Sequence, residues 1–133
     1  ACALFSAAEN EILAMTGCDT LDLAVSRFAA AGCRLLAVRQ GARGSTLYDF
    51  ERGERLRLPA LPVAVVDVTG AGNAYCGALL ATLDQGVQTA ACHAAAAASY
   101  MVEQVGLPAH LPPRAAYDAR FQAVWHEVEV TPL

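Results

Sequence analysis

Short apolar runs alternate with segments of helical periodicity along the whole chain. Runs of apolar and β-branched residues predict strands at residues 2–5, 34–39 and 63–66, and the stretch around Leu56 and Leu58 predicts a short strand within residues 51–62. Apolar residues recurring at helical spacing predict helices at residues 9–15, 20–31, 71–84, 89–103 and 114–125. The alternation predicts an open α/β sheet with helices on both faces and a ligand crevice at the carboxyl ends of its strands.

Residues that favour helix ends support these boundaries. Ser6 and Glu9 have the spacing of a capping box, and Thr20 is an N-cap residue type ahead of the second helix. Gly32 follows that helix, where a left-handed residue is common. The last helix carries four large side chains near one side, which predicts a face that docks on the core: Tyr117, Phe121, Val124 and Trp125.

The stretch at residues 65–80 runs from β-branched residues through Asp67 into a turn of small residues and then a helix. The first N–H groups of a helix lack intrahelical partners, and Gly70 and Gly72 let a ligand approach the backbone closely. The pattern therefore predicts an anion site. Taken alone, it is equally compatible with a buried strand-to-helix connection that binds nothing.

Composition narrows the class of protein. A chain of 133 residues that is 56% hydrophobic can build one domain with a core of its own. The net charge of −4 and nine scattered arginines provide no basic patch for nucleic acid. We expect no membrane span and no signal peptide, because the alanine-rich run near residues 90–102 is interrupted by His93 and no charged leader precedes an apolar run.

Five cysteines, odd in number and without Cys-x-x-Cys spacing, predict reduced thiols rather than a disulfide framework. This favours an intracellular location, either cytoplasmic or organellar. A zinc site is disfavoured, because neither the cysteines nor the three histidines cluster at ligand spacing.

The string from Asp67 to Leu80 resembles the C-terminal signature of the PfkB/ribokinase family of carbohydrate kinases. The resemblance implies a ribokinase-like fold and ATP-dependent phosphoryl transfer to a sugar hydroxyl. It also implies that Gly70, Ala71 and Gly72 form the hole that stabilises the transferred phosphoryl group. In the family, an aspartate directly after this turn takes the proton from the substrate, and here that position is Asn73.

Asn73 changes the expected chemistry, because an amide keeps hydrogen-bonding capacity but has no comparable basicity. Two hypotheses follow: a carbohydrate kinase with impaired turnover, or a non-catalytic kinase-like structural subunit of a larger assembly. A dinucleotide-binding dehydrogenase is disfavoured, since no Gly-x-Gly-x-x-Gly follows a strand.

Two further segments resemble family motifs. Residues 8–17 resemble the Asn-Glu-x-Glu segment, which implies water-mediated Mg²⁺ positioning by Glu11, although Ala8 replaces the asparagine. A helix-surface glutamate is the alternative. Residues 39–44 resemble the Thr-x-Gly-x-x-Gly segment beneath the nucleotide, with Arg39 in place of the threonine; this implies nucleotide binding by Gly41, Arg43 and Gly44. A plain hairpin turn is the alternative there.

The resemblance further implies nucleotide contacts from Asp67, Thr69 and His93, and a monovalent cation near Asp67. A histidine on a helix surface is the alternative for His93. The matching region, residues 3–113, corresponds to the C-terminal half of a single kinase domain. We therefore expect the N-terminal half, or a partner chain, to cover the open sheet edge and supply the sugar pocket.

Overall fold

The computed structural model describes residues 2–133 and has five strands and five α-helices in that part of the chain. The strands are β1 (Leu4–Ala8), β2 (Leu35–Arg39), β3 (Ser45–Asp49), β4 (Glu54–Leu58) and β5 (Glu129–Pro132). The helices are α1 (Glu9–Thr16), α2 (Leu21–Ala30), α3 (Ala71–Ala81), α4 (Val87–Met101) and α5 (Arg114–His126). The chain forms two compact units: the residues up to Arg57 together with Glu129–Leu133, and Leu58–Val128.

The first unit is built on an open sheet with the strand order β1-β2-β3-β4-β5. β1 and β2 are parallel, with Leu4 opposite Leu35 and Ala8 opposite Arg39. β3 runs antiparallel to β2, and β5 runs antiparallel to β4. The predicted α/β class with an open sheet is confirmed. The parallel pair places the carboxyl ends of β1 and β2 side by side, where the loops that follow them can share a site.

Helices α1 and α2 cover the first two strands. Ile12 and Ala24 are fully buried and pack with Leu36 and Val38 of β2 in one apolar cluster. Burying each large aliphatic side chain stabilises the fold by about 1.5–3 kcal/mol. The predicted N-cap is confirmed, since the hydroxyl of Thr20 accepts a hydrogen bond from the backbone N–H of Leu23 at 3.4 Å.

The second unit consists of α3, α4 and α5. α4 is rich in buried alanines, and small residues allow neighbouring helices to approach closely. Tyr75 and Leu79 of α3 are buried. The predicted docking face of α5 is confirmed for Val124, which is fully buried, whereas Trp125 is 37% exposed. No helix in the described part of the chain is long and apolar enough to cross a membrane.

The strand predicted at residues 63–66 is wrong. The segment pairs with no strand among residues 2–133, and the N–H groups of Val66 and Asp67 bond instead to the carbonyl of Val102. Val65 is 63% exposed and Val68 is 69% exposed. β-branched residues favour strands, but a strand also needs a neighbour for its hydrogen bonds.

The predicted capping box is also wrong, because the capping interaction lies at other residues than those predicted. Ser6 lies inside β1, because pairing with β2 extends that strand to Ala8. The helix therefore begins at Glu9, and it is Glu11 that accepts the hydrogen bond from the backbone N–H of the N-cap residue Ala8. The short strand β5 was not predicted from the sequence, since its four residues include two polar ones and a proline.

Candidate functional site

The turn that precedes α3 is held by the carboxylate of Asp67. Its Oδ1 accepts the backbone N–H of Thr69 at 2.9 Å. Hydrogen bonds from the backbone and then the side chain of Thr69 lower the pKa of Asp67, so this carboxyl group stays ionised at neutral pH. The bond fixes the path of the chain into the glycine turn.

Gly70 is the N-cap of α3 and has φ +85°, a left-handed conformation. A Cβ at this position would lie 2.8 Å from the Cε atom of Met101. The positive φ therefore favours glycine at this position, whereas Met101 Cε is the end of a flexible side chain that can move aside. The carbonyl of Gly70 accepts the N–H of Ala74 at 3.0 Å, which starts the helix.

The N-terminus of α3 is the predicted anion site. Gly70 offers no side-chain cap, and no acceptor for the N–H groups of Gly72 and Asn73 occurs among residues 2–133. Asn73 is exposed. The helix dipole adds partial positive charge at these N–H groups, so the turn can bind a phosphate oxygen.

In the first unit, a polar network lies where β1 and β2 end. Glu9 Oε2 accepts hydrogen bonds from Gln40 Nε2 at 2.7 Å and from an Arg43 guanidinium nitrogen at 2.8 Å. Gln40 Oε1 accepts the hydroxyl of Thr46 at 2.9 Å. The sequence did not predict that Glu9 and Gln40 belong to this polar network. The parallel pairing of Ala8 with Arg39 is what brings their loops together.

Glu11 is occupied by structural contacts. Its Oε2 accepts the N–H of Ala8 at 2.7 Å and lies 3.4 Å from a guanidinium nitrogen of Arg39. No group of three or more metal-ligating side chains occurs among the described residues. The Mg²⁺ role of Glu11 therefore stays a prediction.

The predicted turn at residues 40–44 is confirmed. Gly41–Arg43 form one 3₁₀ turn between β2 and β3, and the N–H of Gln40 donates to the carbonyl of Gly44 at 2.8 Å. Gly41 and Gly44 both have positive φ. Their spacing is thus needed to build the hairpin, and their contact with a nucleotide stays a prediction.

His93 faces α5. Its Nδ1 lies 2.9 Å from the hydroxyl oxygen of Tyr117, and its ring centroid lies 4.5 Å from that of Phe121. Burial lowers the pKa of His93, and the positive charge of Arg114 lowers it further. The ring thus contributes to helix packing, and its proposed contact with a nucleotide stays a prediction.

We expect His93 to make stability depend on pH. Because its pKa in the folded chain lies below the ordinary value of 6.5, the unfolded chain binds more protons between these two pKa values. The free energy of unfolding should therefore fall as the pH drops below about 6.5. Urea unfolding between pH 7.5 and 5.5 would measure this. His93→Gln should flatten the profile, and an unchanged slope in that variant would assign it to other groups.

The match to a known protein family includes the residues of both turns. The sequence matches the pfkB family carbohydrate kinase pattern over residues 1–113, a range that contains the α3 turn and the 3₁₀ turn. The chain belongs to the pfkB family. Its Gly-Ala-Gly turn and helix are thus part of a kinase framework, and the ribokinase-like fold predicted from the signature is confirmed.

Curated relatives include sugar and nucleoside kinases. The chain is 34% identical over 120 residues to a ribokinase of Arabidopsis thaliana, covering 84% of this chain and 31% of that one. It is 33% identical over 78 residues to a cytidine kinase of Thermococcus kodakarensis, covering 59% of this chain and 28% of that one. The pfkB-family chain therefore spans about a third of these relatives.

Solved structures agree on the fold. Arabidopsis thaliana ribokinase complexed with ribose and ATP superimposes with a TM-score of 0.77 at 27% identity, covering 90% of this chain and 41% of that one. Aminoimidazole riboside kinase of Salmonella enterica, complexed with aminoimidazole riboside and an ATP analogue, gives a TM-score of 0.75 at 26% identity, covering 89% and 41%.

Proposed function

We propose that this chain is the nucleotide-binding C-terminal part of an ATP-dependent carbohydrate kinase whose turnover is impaired by Asn73. The observation that carries the proposal is the open N-terminus of α3, with unpartnered N–H groups beside an exposed Asn73. Membership of the pfkB family and likeness to kinases with bound nucleotides support it.

The residues of the α3 turn have distinct parts in this proposal. The left-handed Gly70 opens the turn, and the N–H groups of Gly72 and Asn73 bind the terminal phosphate and stabilise its developing charge. The Asn73 amide can orient a substrate hydroxyl but cannot take its proton. ATP supplies the phosphoryl group that the sugar hydroxyl receives.

The first unit supplies positive charge for the nucleotide phosphates. Arg43 lines a cleft on β3, β4 and β5 together with Arg55 and Arg57, and Glu129 is the one acidic residue lining it. Positive charge in a cleft attracts polyanions in a chain whose net charge is −4. We propose that Arg43 and the backbone of Gly41 and Gly44 contact the nucleotide beside this cleft.

Two cations belong to the proposal. Mg²⁺ would be positioned through water by the second carboxylate oxygen of Glu11. A monovalent cation would lie near Asp67, whose lowered pKa keeps it charged. Flame photometry of dialysed protein, compared with Asp67→Asn, tests the second site; equal retention of K⁺ by both would contradict it.

A non-catalytic structural subunit is the second candidate, and one contact favours it. Arg39, which stands where the family motif has threonine, directs its guanidinium at Glu11, the proposed Mg²⁺-associated carboxylate. With Ala8 and Asn73, three positions of the proposed site differ from the family pattern.

Calorimetric titration with ATP and Mg²⁺ distinguishes the two candidates. A nucleotide-binding chain should bind ATP, and Glu11→Gln should weaken binding only when Mg²⁺ is present. This variant retains an oxygen for the Ala8 N–H, so its stability should stay close to the wild type. Glu11→Ala should lose about 1 kcal/mol of stability as well. No detectable ATP binding by the folded wild-type protein would favour the structural subunit.

The exposed apolar segment before α3 indicates a missing neighbour. Val65, Val66 and Val68 are each at least 60% exposed in a chain that spans about 40% of the solved kinases. We propose that the N-terminal half of the kinase covers this segment. The 133-residue chain alone should then self-associate in sedimentation velocity runs, and Val65→Thr with Val66→Thr should reduce association. A monomeric, folded wild-type chain would contradict this.

A further inference from the structure

Two cysteines lie opposite each other where β1 and β2 begin. The parallel register pairs Leu4 with Leu35, and extending it back by two residues pairs Cys2 with Cys33. The pairing continues to this end, because the N–H of Arg34 donates to the carbonyl of Cys2 at 3.0 Å. Neighbouring strands are about 4.8 Å apart, which lies within the Cα separation of about 4.4–6.8 Å that disulfides span.

The two thiols have matching environments but different exposure. Each thiol donates to the carbonyl two residues further on: Cys2 to Leu4 at 3.2 Å and Cys33 to Leu35 at 3.3 Å. Cys2 is exposed, whereas Cys33 is 4% exposed and belongs to the apolar cluster under α1 and α2. Burial raises the pKa of Cys33, and the adjacent Cys2 raises it further.

We propose that Cys2 and Cys33 form a reversible oxidation site that closes into a disulfide between the segments directly before the two parallel strands. This goes beyond the kinase chemistry, which uses neither thiol. The five cysteines are free in the reduced chain, and these two are the pair that the strand register aligns.

The chemistry is thiol–disulfide exchange with a low-molecular-weight disulfide such as oxidised glutathione. The exposed Cys2 thiolate attacks one sulfur, forming a mixed disulfide and releasing one glutathione thiolate. Cys33 then loses its proton to solvent, and its sulfur attacks the Sγ of Cys2 and releases the second glutathione. Two protein thiols are oxidised, and one small disulfide is reduced to two thiols.

The linkage can be read directly by mass spectrometry. The chain is equilibrated with oxidised glutathione, remaining thiols are blocked, and the protein is cut after Glu and Arg. The fragment ending at Glu9 then carries Cys2 alone, and residues 28–34 carry Cys33 alone. We expect these two fragments linked in most molecules, and separate after treatment with dithiothreitol. Cys18→Ser is the matched control and should keep the link, whereas Cys2→Ser should lose it.

A second measurement does not depend on peptide recovery. The disulfide closes a loop containing α1 and α2, so the oxidised wild type should melt several degrees higher than the reduced protein. Cys33→Ala should remove that difference even if it lowers both melting temperatures. A stable glutathione adduct on Cys2 with Cys33 still free, or a link from Cys2 to Cys18, would overturn the proposal.

Discussion

Asn73→Asp in the complete kinase is expected to raise kcat for phosphoryl transfer by about 10²–10⁴-fold. A carboxylate at this exposed position beside the open α3 N-terminus can accept the proton of a substrate hydroxyl, which the amide cannot. ATP affinity should not improve, because the added carboxylate charge repels the bound phosphate. The measurement is release of ADP with a panel of hexoses, pentoses and nucleosides, beside calorimetric titration of ATP.

Asn73→Ala is the control for that experiment. It removes the amide without adding a base, so its turnover should stay at or below the wild-type rate. If Asn73→Asp binds ATP but phosphorylates no member of the panel faster than the wild type, the proposal of a latent kinase is wrong. The structural-subunit alternative would then be favoured.

Gly70→Ala is expected to lower the free energy of unfolding by about 1–3 kcal/mol and to abolish ATP binding. The left-handed φ of +85° strains any L side chain, and the new Cβ would lie 2.8 Å from the Cε atom of Met101. The Met101 side chain can move away from the new Cβ, but relief of the φ strain requires the turn itself to move, which misdirects the N–H groups of Gly72 and Asn73. Urea unfolding and calorimetric titration would measure the two losses.

Gly77→Ala provides a matched substitution on the same helix. Gly77 is exposed inside α3, has no positive φ, and a Cβ there would have no atom of another group within 4 Å. We expect this variant to gain about 0.5–1 kcal/mol of stability and to retain ATP binding. If Gly70→Ala behaved like Gly77→Ala, the turn would not be the constrained anion site proposed here.

Local signals predicted the parts of the site that lie within one stretch of chain. The small-residue turn before an apolar helix predicted the α3 N-terminus, and the paired glycines predicted the turn between β2 and β3. Both depend on backbone conformations that glycine adopts without strain, so the residue type specifies the geometry. The family signature added the role of Asn73, which no local geometry could supply.

Predictions failed where partners distant in the chain decide the outcome. Residues 63–66 have strand composition but no adjacent strand among residues 2–133, so they remain unpaired. The start of α1 depends on how far β1 pairs with β2, and this pairing moved the cap interaction from Glu9 to Glu11. In both cases a hydrogen-bonding partner, rather than intrinsic propensity, set the result.

The sequence alone determined the α/β class, the positions of the helices, the two glycine turns and the replacement of the expected base by Asn73. The class, the helices and the turns follow from periodicity and from the backbone preferences of single residues, which do not depend on distant contacts, whereas the expected base comes from the family signature. The tertiary structure decided that Glu11 caps α1 and faces Arg39, that His93 packs on Tyr117, and that Cys2 lies opposite Cys33. Those contacts join residues 24 to 31 positions apart or depend on strand register, and only the folded chain brings such groups together.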